Sequence, residues 1–339
     1  MGLRRRGILI ANLGTPTAPT RNDVKEYLQE FLMDPHVIAL PGPLRYLVVK
    51  AIAMRRSAQS AAAYAKIWTS SGGPLRDHAE SLAQHVREAT SLPVEVGMRY
   101  GKPSFEDAHK AMKEICDEIL VISAYPHYAD STYQSTVERL KEVFTDIRTL
   151  ITQPYFEEPA FINAHIELLN EHLEADIEHL LLSFHGVPEL HIRKADESRS
   201  HCLEAEDCCG IPHPCQATCY RFQCLRTAKL LGEAVSMPTS ISFQSRLGPA
   251  KWLQPYTIDE VRRLAECGIR NLAVACPSFV SDNVETLYEI AYEVRDAFLD
   301  AGGSRLDVLP CLNESEKWVA LVQKWACGEG ENHTILNDP

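Results

Sequence analysis

The sequence predicts an α/β protein made of two doubly wound, Rossmann-like domains, each a parallel sheet flanked by helices, with an active-site cleft between them. Three observations carry this expectation. The strand-like segments are short apolar runs without alternation, the pattern of strands covered on both faces. These runs alternate with helical segments along the chain, as βαβ units do. The same rhythm occurs in both halves of the 339 residues, a length that suits about two domains.

The first half begins with the apolar strand 7–12 and the helix 21–32. The stretch 43–56 reads as an apolar helix with basic flanks, either core or a lip for a hydrophobic ligand or membrane surface. Next come strand 94–98, helix 104–115, strand 119–123, helix 133–144, the short strand 149–152 and helix 161–173. The second half reads as strand 179–183, helix 219–231, strand 239–243, helix 258–267, strand 271–275, helix 284–299, strand 306–308 and helix 315–327. The boundary falls between about 150 and 180. It divides the chain into an N-terminal domain over 1–160 and a C-terminal domain over 161–330, with the last helix free to pack back on the first domain.

Composition narrows the function classes. The chain carries 34 Lys and Arg against 46 Asp and Glu, a net charge of −12, which opposes nucleic-acid binding. No apolar run approaches the roughly 18 residues of a membrane span. The basic residues Arg4 to Arg6 followed by Gly7-Ile-Leu-Ile-Ala11 resemble a signal peptide only faintly, because Gly14 and Pro16 end the apolar stretch without a cleavage site. A cytoplasmic location follows, where structural disulfides are rare. The glycine-rich fingerprints of dinucleotide and nucleotide binding are missing, as is the Gly-x-Ser-x-Gly of many hydrolases.

Six of the eleven cysteines fall in a short loop-like segment: Cys202, Cys208, Cys209, Cys215, Cys219 and Cys224. In a reducing compartment such a group serves zinc, an iron–sulfur centre or redox chemistry. Only Cys215-x3-Cys219 has a zinc-knuckle spacing. Iron–sulfur ligation tolerates irregular spacing, so spacing ranks it ahead of zinc.

In doubly wound folds ligands bind beyond the carboxyl ends of the strands. Those positions hold Asn12-Leu-Gly-Thr-Pro16, Arg99-Tyr100, Tyr125-Pro-His-Tyr128, Phe184-His-Gly-Val-Pro188, Gln244-Ser-Arg246 and Pro277-Ser-Phe-Val-Ser-Asp282. His185 sits where a base or metal ligand would, and where a hydrogen-bonded loop histidine would too. His127 has the same address in a weaker context. Glu285, Glu289 and Glu293 are spaced to share one helix face, which reads either as a solvated face or as an acidic line entering the cleft. Trp252 lies on a loop after a strand and suits either a flat apolar ligand or local packing.

Taken in order, these segments resemble the ferrochelatases, which insert ferrous iron into a porphyrin to make haem. The resemblance runs through Leu9-Ile-Ala-Asn-Leu-Gly-Thr-Pro16, Tyr64-Ala-Lys-Ile-Trp-Thr69, Ser183-Phe-His-Gly-Val-Pro188, Phe243-Gln-Ser-Arg246 and Ser281-Asp-Asn-Val-Glu-Thr-Leu-Tyr-Glu289, from about residue 7 to about 325. It implies a chelatase-like fold, a lyase activity on protoporphyrin IX and Fe2+, and haem as product. His185 and Glu285 match the catalytic pair and transient iron ligands. Glu289 and Glu293 extend a proton or metal path. Trp252, Arg99, Tyr100, Tyr125 and His127 match porphyrin-binding positions. Some relatives carry a histidine where Asn283 stands here. The cysteine segment resembles the internal insert of a bacterial subgroup with a 2Fe-2S cluster, four ligands coming from Cys202, Cys208, Cys209, Cys215 and Cys219, with Cys224 less suited. The chain lacks the long C-terminal extension of animal relatives, which favours a monomer, and the greasy substrate suits peripheral contact with the inner membrane face. The competing readings are a coproporphyrin ferrochelatase, another tetrapyrrole chelatase, an iron–sulfur haem-binding sensor or carrier, and a zinc-stapled binding module.

Overall fold

A computed structural model describes residues 5–330 and 332–339; of the basic residues Arg4 to Arg6, Arg4 lies outside them. Nine strands occur in the order β1 Arg6–Asn12, β2 Val94–Met98, β3 Glu118–Ser123, β4 Arg148–Thr152, β5 His179–His185, β6 Thr239–Gln244, β7 Asn271–Ala275, β8 Arg305–Val308 and β9 His333–Asn337. They divide between two compact units. The first holds 1–125, 130–155 and 318–339, and the second 126–129 and 156–317.

The first unit carries a five-stranded sheet in the order β2-β1-β3-β4-β9. Its first three ladders are parallel, with Ile8 opposite Val94 and Leu120. Ile8, Leu9, Ile10, Ile119, Leu120 and Val121 are all buried, which explains why the strands show no alternation: helices cover both faces. β9 pairs antiparallel with β4 at the edge. Its sequence, His-Thr-Ile-Leu-Asn, gives no strand signal beyond two apolar residues, and its partner β4 lies far upstream. Gly14 follows β1 with φ +113°, and a Cβ there would overlap the Tyr100 carbonyl oxygen. Glycine alone lets these two post-strand loops meet.

The second unit is a four-stranded parallel sheet in the order β6-β5-β7-β8. Leu180, Leu181, Leu182 and Phe184 of β5 are buried to 1% exposure or less. One face is covered by the Thr257–Glu266 helix and by the long helical segment after β7, whose Ile290, Val294 and Phe298 pack with Leu181, Val261, Leu272 and Val274. Each such fully buried side chain contributes about 1.5–3 kcal/mol. That segment was expected to be a plain α-helix. It is a π-helix over Glu285–Val294 that becomes α-helical over Arg295–Asp300. π turns are rare and recur at functional sites. The apolar anchor holds one side of the segment, leaving Glu285, Glu289 and Glu293 on positions that do not join the core.

Candidate active site

The second unit gathers its chemistry at the carboxyl ends of β6, β5 and β7. His185 is the last residue of β5 and is paired with Gln244 of β6. On the other side the β5–β7 ladder ends at Leu182 opposite Ala275. Beyond that point side chains replace the missing strand. The His185 backbone N–H donates to Ser278 Oγ at 3.0 Å, and the Tyr220 hydroxyl donates to the His185 carbonyl at 2.8 Å. The imidazole Nδ1 lies 2.6 Å from the Gly186 carbonyl oxygen. A carbonyl only accepts, so Nδ1 carries the proton and Nε2 keeps its lone pair. Burial pushes the imidazole below its ordinary value, partly offset by the Gly186 hydrogen bond. The ring is therefore neutral at pH 7 and basic at Nε2.

The loop from Cys276 to Val284 joins this point to the acidic segment. Its Phe279 ring stands edge-on to His185 at 6.0 Å. The segment's start is clamped. The Asp282 carboxylate accepts from the Thr286 hydroxyl at 2.8 Å and from Asn313 Nδ2 at 2.7 Å, while Asn313 Oδ1 accepts from the Asp282 N–H. Asn283 Oδ1 accepts from the backbone N–H groups of Glu285 and Thr286, and its amide donates to Ser281. Asn283 thus acts as a local cap that fixes the backbone of Glu285.

Burial raises Glu285 to about 7, against its own backbone hydrogen bond, and the neighbouring Glu289 charge adds to the rise. Glu289 is also raised, chiefly by burial. It is held by Ser245, just after β6, whose N–H donates at 2.8 Å and whose hydroxyl also donates to the carboxylate. Glu293 is exposed. The three acids form a line from a half-buried end to solvent.

Trp252 packs behind the histidine turn. Its indole N–H donates to the Leu247 carbonyl at 3.0 Å, and it forms a bridge with Pro188. At Gly186 an added Cβ would stand 2.7 Å from the Gln244 carbonyl oxygen and 3.2 Å from the Trp252 ring. We expect Gly186→Ala to push β5 and β6 apart at His185. Activity should fall at least tenfold with a small loss of melting temperature, and steady-state kinetics with calorimetry would check both.

His127, expected at the ligand, is instead enclosed in the second unit. Its Nε2 bonds Thr227 at 2.9 Å, and the rings of Phe184, Tyr220 and Phe156 surround it at 5.5, 6.0 and 6.5 Å. Burial, reinforced by His165, lowers it to about 3, so the ring is a neutral packing element. Arg99, Tyr100 and Tyr125 belong to the first unit. Arg99 pairs with buried Asp34 at 2.5 Å, and the hydroxyls of Tyr100 and Ser135 donate to the same carboxylate at 2.8 and 2.6 Å. Arg99 is partly accessible, whereas Tyr100 is closed in. A cavity of about 620 Å3 in this unit is lined by Arg99 together with Glu30, Glu106, Asp107 and Arg139; Glu106 and Asp107 are paired with Arg139 and Lys102.

The comparisons with known proteins place the chain in a family. The family model named Ferrochelatase matches residues 5–329. A ferrochelatase from Stutzerimonas stutzeri (strain A1501) is 43% identical over 332 residues, 95% of this chain and 97% of that protein. The chain belongs to the ferrochelatase family. A second ferrochelatase, from Pseudomonas fluorescens (strain Pf0-1), is 43% identical over 92% of this chain and 94% of its own. Among solved structures, SirB from Bacillus subtilis with Fe3+ shares the fold with a TM-score of 0.53 at 13% identity, covering 96% of both chains. The α/β fold expected from the sequence is therefore that of the chelatases.

The sequence motifs point to His185 and the three glutamates but not to the residues that hold them in this structure. Ser278 and Ser245 lie in the post-strand segments that the fold rule marks out. Asp282 stands in one of them as well. Tyr220 has no such signal, since it reaches His185 from 35 residues away.

The cysteine segment forms a second cluster in the same unit. Cys202 Sγ lies 3.2 Å from Cys215 Sγ, and Cys208 Sγ lies 4.0 Å from Cys209 Sγ. The Cys219 thiol interacts with those of Cys202 and Cys209. Arg221 donates to Cys209 at 3.2 Å and to Cys208 at 3.6 Å. His213 Nδ1 is 3.0 Å from Cys215 Sγ, and its ring stacks on His201 at 4.0 Å. Cys224 is fully buried inside the Tyr220–Ala234 helix.

Proposed function

We propose that this ferrochelatase inserts Fe2+ into protoporphyrin IX to form haem b, with His185 and Glu285 as the working pair. The observation that carries the reading is the protonation pattern. His185 is held neutral with a free basic Nε2 at the end of β5, and in the same unit burial raises the Glu285 carboxyl group to about 7. Metallation releases two pyrrole protons. One goes to His185 Nε2, and the second passes through Glu285 toward Glu289 and the exposed Glu293. Imidazole and carboxylate are also suitable passing ligands for ferrous iron. They hold it weakly enough to hand it on. Trp252 is the flat apolar wall beside the histidine turn. Within the first unit, Arg99 is braced by Asp34, which also accepts from the Tyr100 hydroxyl, and Tyr125 is buried; these are porphyrin-binding candidates only through the resemblance. An anaerobic absorbance time course with protoporphyrin IX and ferrous iron tests the reading. Conversion of the free-porphyrin bands to a metalloporphyrin spectrum supports it. Porphyrin binding without conversion would shift the weight to a haem-binding sensor or carrier, and faster conversion of coproporphyrin would reassign the substrate.

The insert fits a 2Fe-2S cluster. Five thiols converge from one loop, four of them buried, and the Arg221 guanidinium donates to two of them. Cys202, Cys215 and Cys219 supply three thiolates, and the Cys208–Cys209 pair the fourth. Bound there, the group supplies a cross-link among distant parts of the loop and a one-electron centre. A zinc reading also has a specific observation behind it, because ligand atoms of His201, His213 and Cys215 lie within 4.8 Å of one another. Iron and acid-labile sulfide analysis decides between them. We expect about two of each per chain with visible absorbance, both lost in Cys215→Ser; zinc without sulfide would overturn the cluster.

Peripheral contact with an anionic membrane is proposed through the Gly42–Ile67 helix. It exposes Leu44, Tyr46, Leu47 and Met54, and it carries Arg45, Lys50, Arg55, Arg56 and Lys66 with no acidic residue in a chain of net charge −12. No helix among the described residues is long and apolar enough to cross a membrane. Leu47→Glu should abolish sedimentation with anionic vesicles; unchanged sedimentation would remove this helix as the contact.

A further inference from the structure

We infer that Tyr220 is a positioning residue for His185 and that it ties the catalytic histidine to the thiolate insert. The inference rests on the proposed cluster. Three consecutive residues make the connection. Cys219 caps the Tyr220–Ala234 helix, its sulfur accepting from the Phe222 N–H at 3.5 Å, and the same thiol joins Cys202 and Cys209. Arg221 reaches back to Cys208 and Cys209. Between them, Tyr220 turns the other way and donates its hydroxyl to the His185 carbonyl at 2.8 Å.

That hydroxyl has structural work to do. The β7 ladder stops at Ala275, three residues short of the level of His185. A carbonyl left without a partner in a buried setting costs as much as a lost hydrogen bond. Tyr220 supplies the donor, and Ser278 supplies the matching acceptor for the His185 N–H. Together they hold the backbone of the catalytic residue where the sheet no longer does. The Tyr220 ring is 6% exposed and packs against His127, so its body is fixed by the core while its hydroxyl points to the site.

Cys219 therefore has two duties on one sulfur. As a ligated thiolate it is anchored to the loop and accepts the helix N–H as a charged, stronger acceptor. As a free thiol it is a weak cap, and the first helical turn, with Tyr220 in it, is less firmly held. A displacement of about 1 Å at a catalytic group can cost about 10²-fold in rate. The state of the insert thus reaches His185 through one hydroxyl, within one unit.

Tyr220→Phe tests this while keeping the ring. The variant should retain its iron, sulfide and visible spectrum. Its kcat should fall about 10- to 100-fold with KM for porphyrin unchanged. Hydrogen exchange in a peptide spanning 183–190 should rise. Removing iron from the wild-type protein with a chelator should produce the same kcat loss and the same rise in exchange, and should add nothing in Tyr220→Phe. Wild-type kcat and exchange in Tyr220→Phe would overturn the positioning role. Loss of iron and sulfide from the wild type with exchange at 183–190 unmoved would overturn the coupling alone. Protein purified without iron or sulfide would fail the cluster assignment, and the coupling with it.

Discussion

His185→Ala forms no detectable metalloporphyrin while still folding and still binding porphyrin: this is the largest effect expected of any substitution. Removing a positioned general base typically costs about 10²–10⁴-fold, and here the same side chain is also proposed to touch the iron. The fold should survive because His185 ends its strand. Its backbone N–H donates to Ser278 and its carbonyl accepts from Tyr220, so neither backbone bond depends on the ring. The argument for Nε2 as the reacting atom rests on the Gly186 carbonyl, which engages Nδ1 at 2.6 Å. His185→Gln keeps hydrogen-bonding capacity but has no basic nitrogen, so it should be as inactive as His185→Ala. Full activity in either variant would remove His185 from the mechanism. Spectral titration with porphyrin, run beside the rate assay, separates lost binding from lost chemistry.

What the sequence revealed depended on how local the signal was. Strands buried on both faces announce themselves as apolar runs, so β1, β3, β5 and β7 were legible, and the residues after them followed from the rule for doubly wound sheets. His185 and Glu285 were visible for that reason. β9 was not, because an edge strand of five mostly exposed residues derives its structure from pairing with β4. Nor was the π-helix legible: four-residue spacing of Glu285, Glu289 and Glu293 suits an α-helix equally well. His127 illustrates that a post-strand address says nothing about what closes over it. Here Phe156, Phe184 and Tyr220 do. Tyr220 was invisible for the complementary reason. Its partner is a backbone carbonyl, and no residue pattern encodes a hydrogen bond to a carbonyl 35 residues away.

The second large effect concerns pH. Glu285 sits at about 7 because burial, and then the Glu289 charge, disfavour its ionised form. His185 lies below its ordinary value. The two are therefore reversed from their usual order, and with Glu285 as the proposed working carboxyl group the acid limb of kcat/KM is expected to follow the glutamate. Activity should fall about tenfold per pH unit below about 7, as the carboxylate that accepts the proton becomes protonated. Glu285→Gln should be slow at every pH and lose that limb. Glu289→Gln removes a charge that raises Glu285, so its limb should move to lower pH even as its maximal rate drops. Since the two carboxyl groups interact, the wild-type limb reports the pair. Stability follows the same sign. A carboxyl group whose folded pKa is raised holds its proton more tightly in the folded state. Its ionisation costs nothing below the unfolded value of 4.5, costs increasingly between 4.5 and about 7, and costs a constant amount above. Glu285→Gln should thus stabilise the protein by about 1–3 kcal/mol at pH 8 and by almost nothing at pH 4. An equal melting shift at both pH values, or an acid limb left unchanged in Glu289→Gln, would show that Glu285 is not the group whose ionisation limits the reaction.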